Sequence, residues 1–232
     1  WRTDVARLTG QRDVARPYDG DVIGAVQRST DDSATRDIVV CAAGTLPAEL
    51  HKLWRTSVPG GYHMEYGYSC MGYEIAGGLG VKMARPGREV IVIVGDGSYL
   101  MLNAEIATSV MLGRKLIVVV LDNRGYGCIN RLQQAVGGEP FNNLLDDCAQ
   151  GAPGAPRIDF AAHAAAMGAR AENVKTIPEL EAALARAGLS AALTRAESAL
   201  TPGLWWAAPE ADDLDAETGF LQEYLAKHIL PE

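Results

Sequence analysis

The chain has 232 residues, 48% hydrophobic and 22% charged, an ordinary balance for a globular protein with one sizeable core. Its net charge of −8 and pI near 5.1 argue against a nucleic-acid groove or an anionic membrane surface as its partner. No apolar run approaches the roughly 18 residues of a membrane span. The four cysteines, Cys41, Cys70, Cys128 and Cys148, form neither a CxxC pair nor a zinc spacing, so reduced thiols in a cytoplasmic protein are expected.

The chain opens on WRTDVARLTG, without an initiating Met, and this polar stretch reads as a linker within something longer. Residues 1–36 are expected to be linker plus one lead-in helix behind Pro17. DIVVCAAG (37–44) reads as a buried strand entering a glycine turn, and LPAELHKLW (46–54) as a helix with Pro near its start. The Gly- and Tyr-rich stretch 58–69 reads as a loop, and 71–84 as a helix rich in small residues, broken by Pro86-Gly87.

EVIVIVGD (89–96) is a second buried strand, followed by a helix over 98–113 with Gly113 just past its end. KLIVVVLDN (115–123) is a third strand, and 124–157 a long irregular stretch. Helices are expected over 158–169 and 177–187, the latter with Thr176 as N-cap before Pro178, and a short strand over 170–174. No convincing strand is visible between Ala187 and Trp205, and 191–232 is left as a tail. Continuous β-branched strands alternating with helices mean an α/β fold, a parallel sheet flanked by helices on both faces.

In such sheets ligands bind beyond the carboxyl ends of the strands. Asp96 and Asn123 both sit at such ends, 27 positions apart. A carboxylate and an amide carbonyl are hard oxygen ligands, suited to Mg²⁺ or Ca²⁺, and a cation so held keeps positions for phosphate oxygens. Gly95 and Gly97 allow a sharp turn and close approach of a phosphate. The helix that follows would present free N–H groups and the Ser98 hydroxyl to it. Gly125 can offer an unobstructed carbonyl.

Gly95-Asp96-Gly97 with Asn123 downstream resembles the signature of thiamine diphosphate enzymes. The resemblance implies that Asp96, Asn123 and the Gly125 carbonyl hold Mg²⁺ on the diphosphate, with Tyr126 beside them. YSCMGYEIAGGLGVKMA (68–84) is similar to the family's pyrimidine-gripping stretch. Met71 would then bend the cofactor into its reactive V shape, with the Ser69 carbonyl and Met71 N–H at the pyrimidine edge. CAAGTLP (41–47) matches the loop that meets the diphosphate, which marks Gly44, Thr45 and Leu46.

Residues 37–190 therefore resemble the diphosphate-binding (PP-type) domain, and the family's pyrimidine-binding and central domains are expected elsewhere. The Glu that activates the pyrimidine belongs to that absent part, and neither Glu74 nor Glu105 matches its position. GGYHMEYGYSCMGYEIAGGLGVKMA, GDGSYLMLN and GCINRLQ further resemble the hydrolases of myo-inositol catabolism. These open a cyclic trihydroxy-1,2-dione to 5-deoxyglucuronate.

By that resemblance the partners are a small cyclic dione and a second copy of the chain, in a homodimer or homotetramer, with neither nucleic acid nor membrane. An acetolactate synthase-like carboligase, and a non-catalytic cofactor-binding fragment, remain open beside this reading. His63, Glu65, Cys128 and Asn130 flank the motifs without an assigned role, and His63 is read as an ordinary loop or core histidine.

Overall fold

The computed structural model describes residues 2–11, 17–30, 37–56, 58–148, 157–188 and 202–207. The elements, in order, are α1 (Arg2–Leu8), α2 (Asp19–Ser29), β1 (Ile38–Cys41), α3 (Thr45–Leu53), β2 (Tyr62–Met64), α4 (Tyr73–Ala84), β3 (Val90–Gly95) and α5 (Asp96–Met101). They continue with α6 (Glu105–Met111), β4 (Leu116–Leu121), α7 (Gly127–Ala135), α8 (Leu145–Cys148), α9 (Phe160–Ala166), β5 (Arg170–Asn173), α10 (Ile177–Arg186) and β6 (Pro202–Ala207).

One sheet runs in the order β2-β1-β3-β4-β6-β5. Its first four strands are parallel, as the alternation of strands and helices requires, with Ile38 opposite Val90 and Val92 opposite Val118. β6 runs antiparallel between β4 and β5.

The three central strands are apolar at every position because both of their faces are covered. Val39, Cys41, Ile91, Ile93, Ile117 and Val119 face α1, α2, α3 and α10 through Val5, Ile23, Leu50 and Leu180. Ile38, Val40, Val90, Val92, Leu116 and Val118 face α4, α5, α6 and α9 through Ile75, Tyr99, Ile106 and Phe160. Each such side chain stabilises the fold by about 1.5–3 kcal/mol relative to exposure. No helix among the described residues is long and apolar enough to cross a membrane.

Several expectations need correction. The opening stretch is not a linker: it forms α1, whose Val5 is 1% exposed in the core. Arg28 ties this region down, donating to the Thr9 carbonyl (2.7 Å) and pairing with Glu181 of α10 (2.7 Å). The 58–69 loop contains the edge strand β2, parallel to β1. The helix expected over 98–113 is two helices interrupted at Leu102–Ala104, where the Asn103 amide donates to the Tyr99 carbonyl (3.1 Å).

The supposedly irregular 124–157 stretch contains α7 and α8, and the tail supplies β6. Residues 189–201 and 208–232 lie outside the described residues. Gly113 does follow α6 in a left-handed conformation (φ 58°). Thr176 does cap α10, accepting the Glu179 N–H while the Glu179 carboxylate accepts the Thr176 N–H.

Candidate cofactor-binding site

β1, β3 and β4 end on the same edge of the sheet, and the turns leaving them form one cleft of about 460 Å³. Gly44 and Leu46 reach it from β1, Gly95, Asp96, Gly97 and Ser98 from β3, and Asn123, Gly125 and Tyr126 from β4. Ser69 and Met71 close one side, just ahead of α4. The structure therefore brings these sequence-selected residues together. Thr45 is the first residue of α3, placed in the same turn by its backbone.

The ends of β3 and β4 are neighbours, with Gly95 opposite Leu121, which sets Asp96 beside the loop after β4. Asp96 is 3% exposed, and its Oδ2 accepts the Gly125 N–H at 2.7 Å. Burial pushes its carboxyl up to about 6, the nearby Asp122 carboxylate adds to this, and backbone N–H groups of Gly125, Gly97 and Asn123 pull it back.

The inward-facing amide atom of Asn123 lies 2.7 Å from the Gly125 carbonyl oxygen and 3.2 Å from Asp96 Oδ1. As nitrogen, that atom donates to both. As oxygen, it completes a set of three converging acceptors, which only a cation can hold together. The donor set is one carboxylate, one amide and one backbone carbonyl. Among the described residues no cluster of three or more His, Cys, Asp or Glu offers a rival metal site.

Two glycines are needed here for steric reasons. Gly125 has φ 138°, and a Cβ on it would collide with the Asn143 carbonyl. A Cβ on Gly97 would come within 2.7 Å of the Tyr126 ring. The loop holding Gly125 is pinned by Tyr126 N–H to the Asn143 carbonyl (2.7 Å), Leu145 N–H to the Arg124 carbonyl (2.9 Å), and Arg124 to Asp146 (2.8 Å).

Two expectations about the anion side change. The helix at the cleft begins at Asp96 itself and has six residues, so the N-terminus expected from a helix over 98–113 belongs to a short helix instead. The Ser98 hydroxyl lines the cleft, but its hydrogen goes to Glu74: Oγ lies 2.7 Å from Oε1 and 2.8 Å from Oε2. Glu74 itself is 1% exposed. That link joins residues 24 positions apart, and nothing in the sequence signals it.

The unassigned residues resolve unevenly. The Glu65 carboxylate braces its own loop, accepting the N–H groups of Tyr68 (3.0 Å) and Cys70 (2.6 Å). A ring nitrogen of His63 lies 3.2 Å from the Gly60 carbonyl, a local loop contact. Cys128 is in the cleft wall, together with Ile129 and Leu132 of α7, whereas Asn130 is buried. Sequence reading missed this helix as a wall, although Ile129 and Leu132 share one helical face.

The fold places glycine-flanked oxygen-bearing side chains in the turns at the carboxyl edge of a parallel sheet, the position at which open α/β domains take their ligands. Residues 42–195 match the thiamine pyrophosphate enzyme C-terminal TPP-binding domain, and the chain belongs to that family. It is 42% identical over 177 residues (73% of this chain, 27% of the relative) to a 3D-(3,5/4)-trihydroxycyclohexane-1,2-dione hydrolase of Halalkalibacterium halodurans. Proteins of the same name from Bacillus thuringiensis (40%; 79% of this chain, 32% of the relative) and Bacillus subtilis (46%; 63% and 23%) are also similar.

The chain thus spans roughly a quarter to a third of the length of these relatives. The fold is also that of a thiamine diphosphate-dependent 4-hydroxybenzoylformate decarboxylase of Rhodococcus jostii RHA1. The TM-score is 0.66 at 19% identity, over 78% of this chain and 32% of that one.

Proposed function

We propose that this chain is the diphosphate- and Mg²⁺-binding part of a thiamine diphosphate-dependent hydrolase. The enzyme would open a cyclic 1,2-dione, 3D-trihydroxycyclohexane-1,2-dione, in inositol catabolism. The observation that carries the cofactor half is the convergence of Asp96, Asn123 and the Gly125 carbonyl on one point. The substrate half rests on the names of the relatives, of which the chain matches only a part.

In this reading Asp96, Asn123 and Gly125 supply three oxygens to Mg²⁺ and leave its other positions for diphosphate oxygens and water. The charged form of Asp96, disfavoured by burial, becomes the favoured form beside the cation. The turns at Gly44–Leu46 and Gly95–Gly97 let the diphosphate approach the backbone. Met71 would supply an apolar wall for the thiamine half, and Ser69 would offer its carbonyl to the pyrimidine. Tyr126, Ile129 and Leu132 give the opposite wall an apolar surface that limits water.

Thiamine diphosphate supplies a stabilised carbanion for cleaving a carbon–carbon bond beside a carbonyl. The activating Glu is expected from an N-terminal pyrimidine-binding domain of a second copy, in a dimer or tetramer. Glu74, clasped beneath Ser98, does not take that role.

Calorimetric titration of the chain with thiamine diphosphate, with and without Mg²⁺, tests the cofactor half. Binding that requires Mg²⁺ is expected. Equal heats with and without Mg²⁺, or no binding in either case, would refute it. Turnover of the dione by the complete enzyme, against pyruvate as the alternative substrate, tests the substrate half.

A further inference from the structure

Glu74 is a buried carboxylate that the reading above does not use. It occupies the first turn of α4 and is not among the residues that line the cleft. A buried charge persists only where donors satisfy it, and Glu74 has three, its own backbone N–H and two from outside its residue. The Ser98 hydroxyl lies between its oxygens at 2.7 and 2.8 Å, and the Gly72 N–H reaches Oε2 at 3.0 Å. That same N–H reaches Ser98 Oγ at 2.7 Å, so hydroxyl, amide and carboxylate form a closed three-membered ring of hydrogen bonds.

Burial raises the Glu74 carboxyl above its ordinary range, and the Ser98 hydroxyl pulls it back. An apolar residue would fill this position without the desolvation cost, so core packing does not account for a carboxylate here.

What the ring joins suggests its use. Gly72 immediately follows Met71, which with Ser69 makes one wall of the cleft. Ser98 lies two residues after Asp96 on α5, whose start forms the floor. The wall and floor come from separate segments. Ser98 Oγ on the floor accepts the Gly72 N–H directly, and the Glu74 carboxylate bonds both of them and so orients that contact.

We propose that Glu74 is a positioning residue which, through Ser98 and the Gly72 N–H, fixes the Ser69–Gly72 wall relative to Asp96. The thiamine and diphosphate halves of the cofactor thereby meet one preset geometry. The proposal rests on the thiamine diphosphate reading. It concerns how two halves of the cleft are coupled, and it gives Glu74 no contact with the reacting atoms.

The test is a comparison of two ligands by calorimetry in the presence of Mg²⁺: thiamine diphosphate, which spans wall and floor, and inorganic pyrophosphate, which occupies the floor alone. Wild type is compared with Glu74→Ala, Glu74→Leu and Glu74→Gln. Loss of the carboxylate from the clasp in the first two, which frees the Ser98 hydroxyl to rotate away from the Gly72 N–H, should weaken thiamine diphosphate about tenfold, the scale of a charged hydrogen bond. Pyrophosphate affinity should stay within about twofold, since its ligands are untouched.

Gln keeps an acceptor for the Gly72 N–H and a polar partner for Ser98, and should recover most of the loss. Leu fills the volume and carries the comparison if Ala does not fold. Equal weakening of both ligands would mean that Glu74 only supports the fold, and that outcome overturns the proposal. So does a wild-type preference that survives in both apolar variants. A wild-type chain that binds neither ligand overturns the cofactor reading, and the proposal with it.

Discussion

Asp96→Asn offers a test of the site that needs no substrate. The substitution keeps an oxygen to accept the Gly125 N–H and removes the charge. In the free protein the Asp96 carboxyl is pushed from its ordinary 3.8 up to about 6, chiefly by burial and secondarily by Asp122. A group whose pKa is raised on folding contributes stability that is fully present below the unfolded value and lost as pH rises through the folded one. For Asp96 that window runs from 3.8 to about 6.

At 1.36 kcal/mol per pH unit, the gap corresponds to about 3 kcal/mol carried as a penalty at pH 8 by the wild-type chain. Without divalent cations, Asp96→Asn should therefore be more stable than wild type at pH 8 by up to about 3 kcal/mol. The advantage should shrink through pH 6 and vanish near pH 4.

Urea denaturation at several pH values reads this directly. Addition of Mg²⁺ and pyrophosphate at pH 8 should reverse the order, because only wild type gains binding energy, about 4.1 kcal/mol at a thousandfold excess over Kd. If Asp96→Asn were no more stable at any pH, the burial argument would fail. If both proteins gained equally from Mg²⁺ and pyrophosphate, Asp96 would not be a ligand.

Gly125→Ala should destabilise the chain by about 1–3 kcal/mol, because φ 138° and the Asn143 carbonyl leave no room for a methyl. It should also abolish Mg²⁺-dependent heat in calorimetry, since the carbonyl is displaced. Met71→Ala should weaken thiamine diphosphate while leaving pyrophosphate binding within about twofold, and in the complete enzyme it should lower kcat more than cofactor affinity. Thr176→Ala, far from the cleft, removes the capping box of α10 and should cost about 1 kcal/mol by urea denaturation, with no change in cofactor affinity.

The central strands were legible because burial on both faces leaves a continuous β-branched run with few competing interpretations. The convergence of Asp96, Asn123 and Gly125 on one cleft was legible because their places are fixed by where those strands end. Edges were harder. β2 is three half-buried residues inside a Gly- and Tyr-rich stretch, and β6 opens on Pro202-Gly203 with only four apolar residues behind them, too short a run to announce a strand.

The break between α5 and α6 has no Gly or Pro to announce it. α7 was hidden because its apolar residues face the cleft and its rim, so its pattern does not read as a core stripe. The Glu74–Ser98 clasp was invisible for a different reason. Each residue is unremarkable in its own helix, and only the packing of α4 against α5 gives the pair meaning.

The fit between Gly97 and the Tyr126 ring also bears on how such a cleft can diverge. Here the shape of the floor is stored as an absent atom: the ring lies where a side chain at position 97 would begin. A contact can be tuned by degrees, a methylene at a time. An absence admits only two settings, and filling it would displace the Tyr126 ring in a single step. Change in the shape of the cleft is therefore closed to small adjustments at the floor. It is open at Ile129 and Leu132 in the cleft wall, which are 49% and 60% exposed.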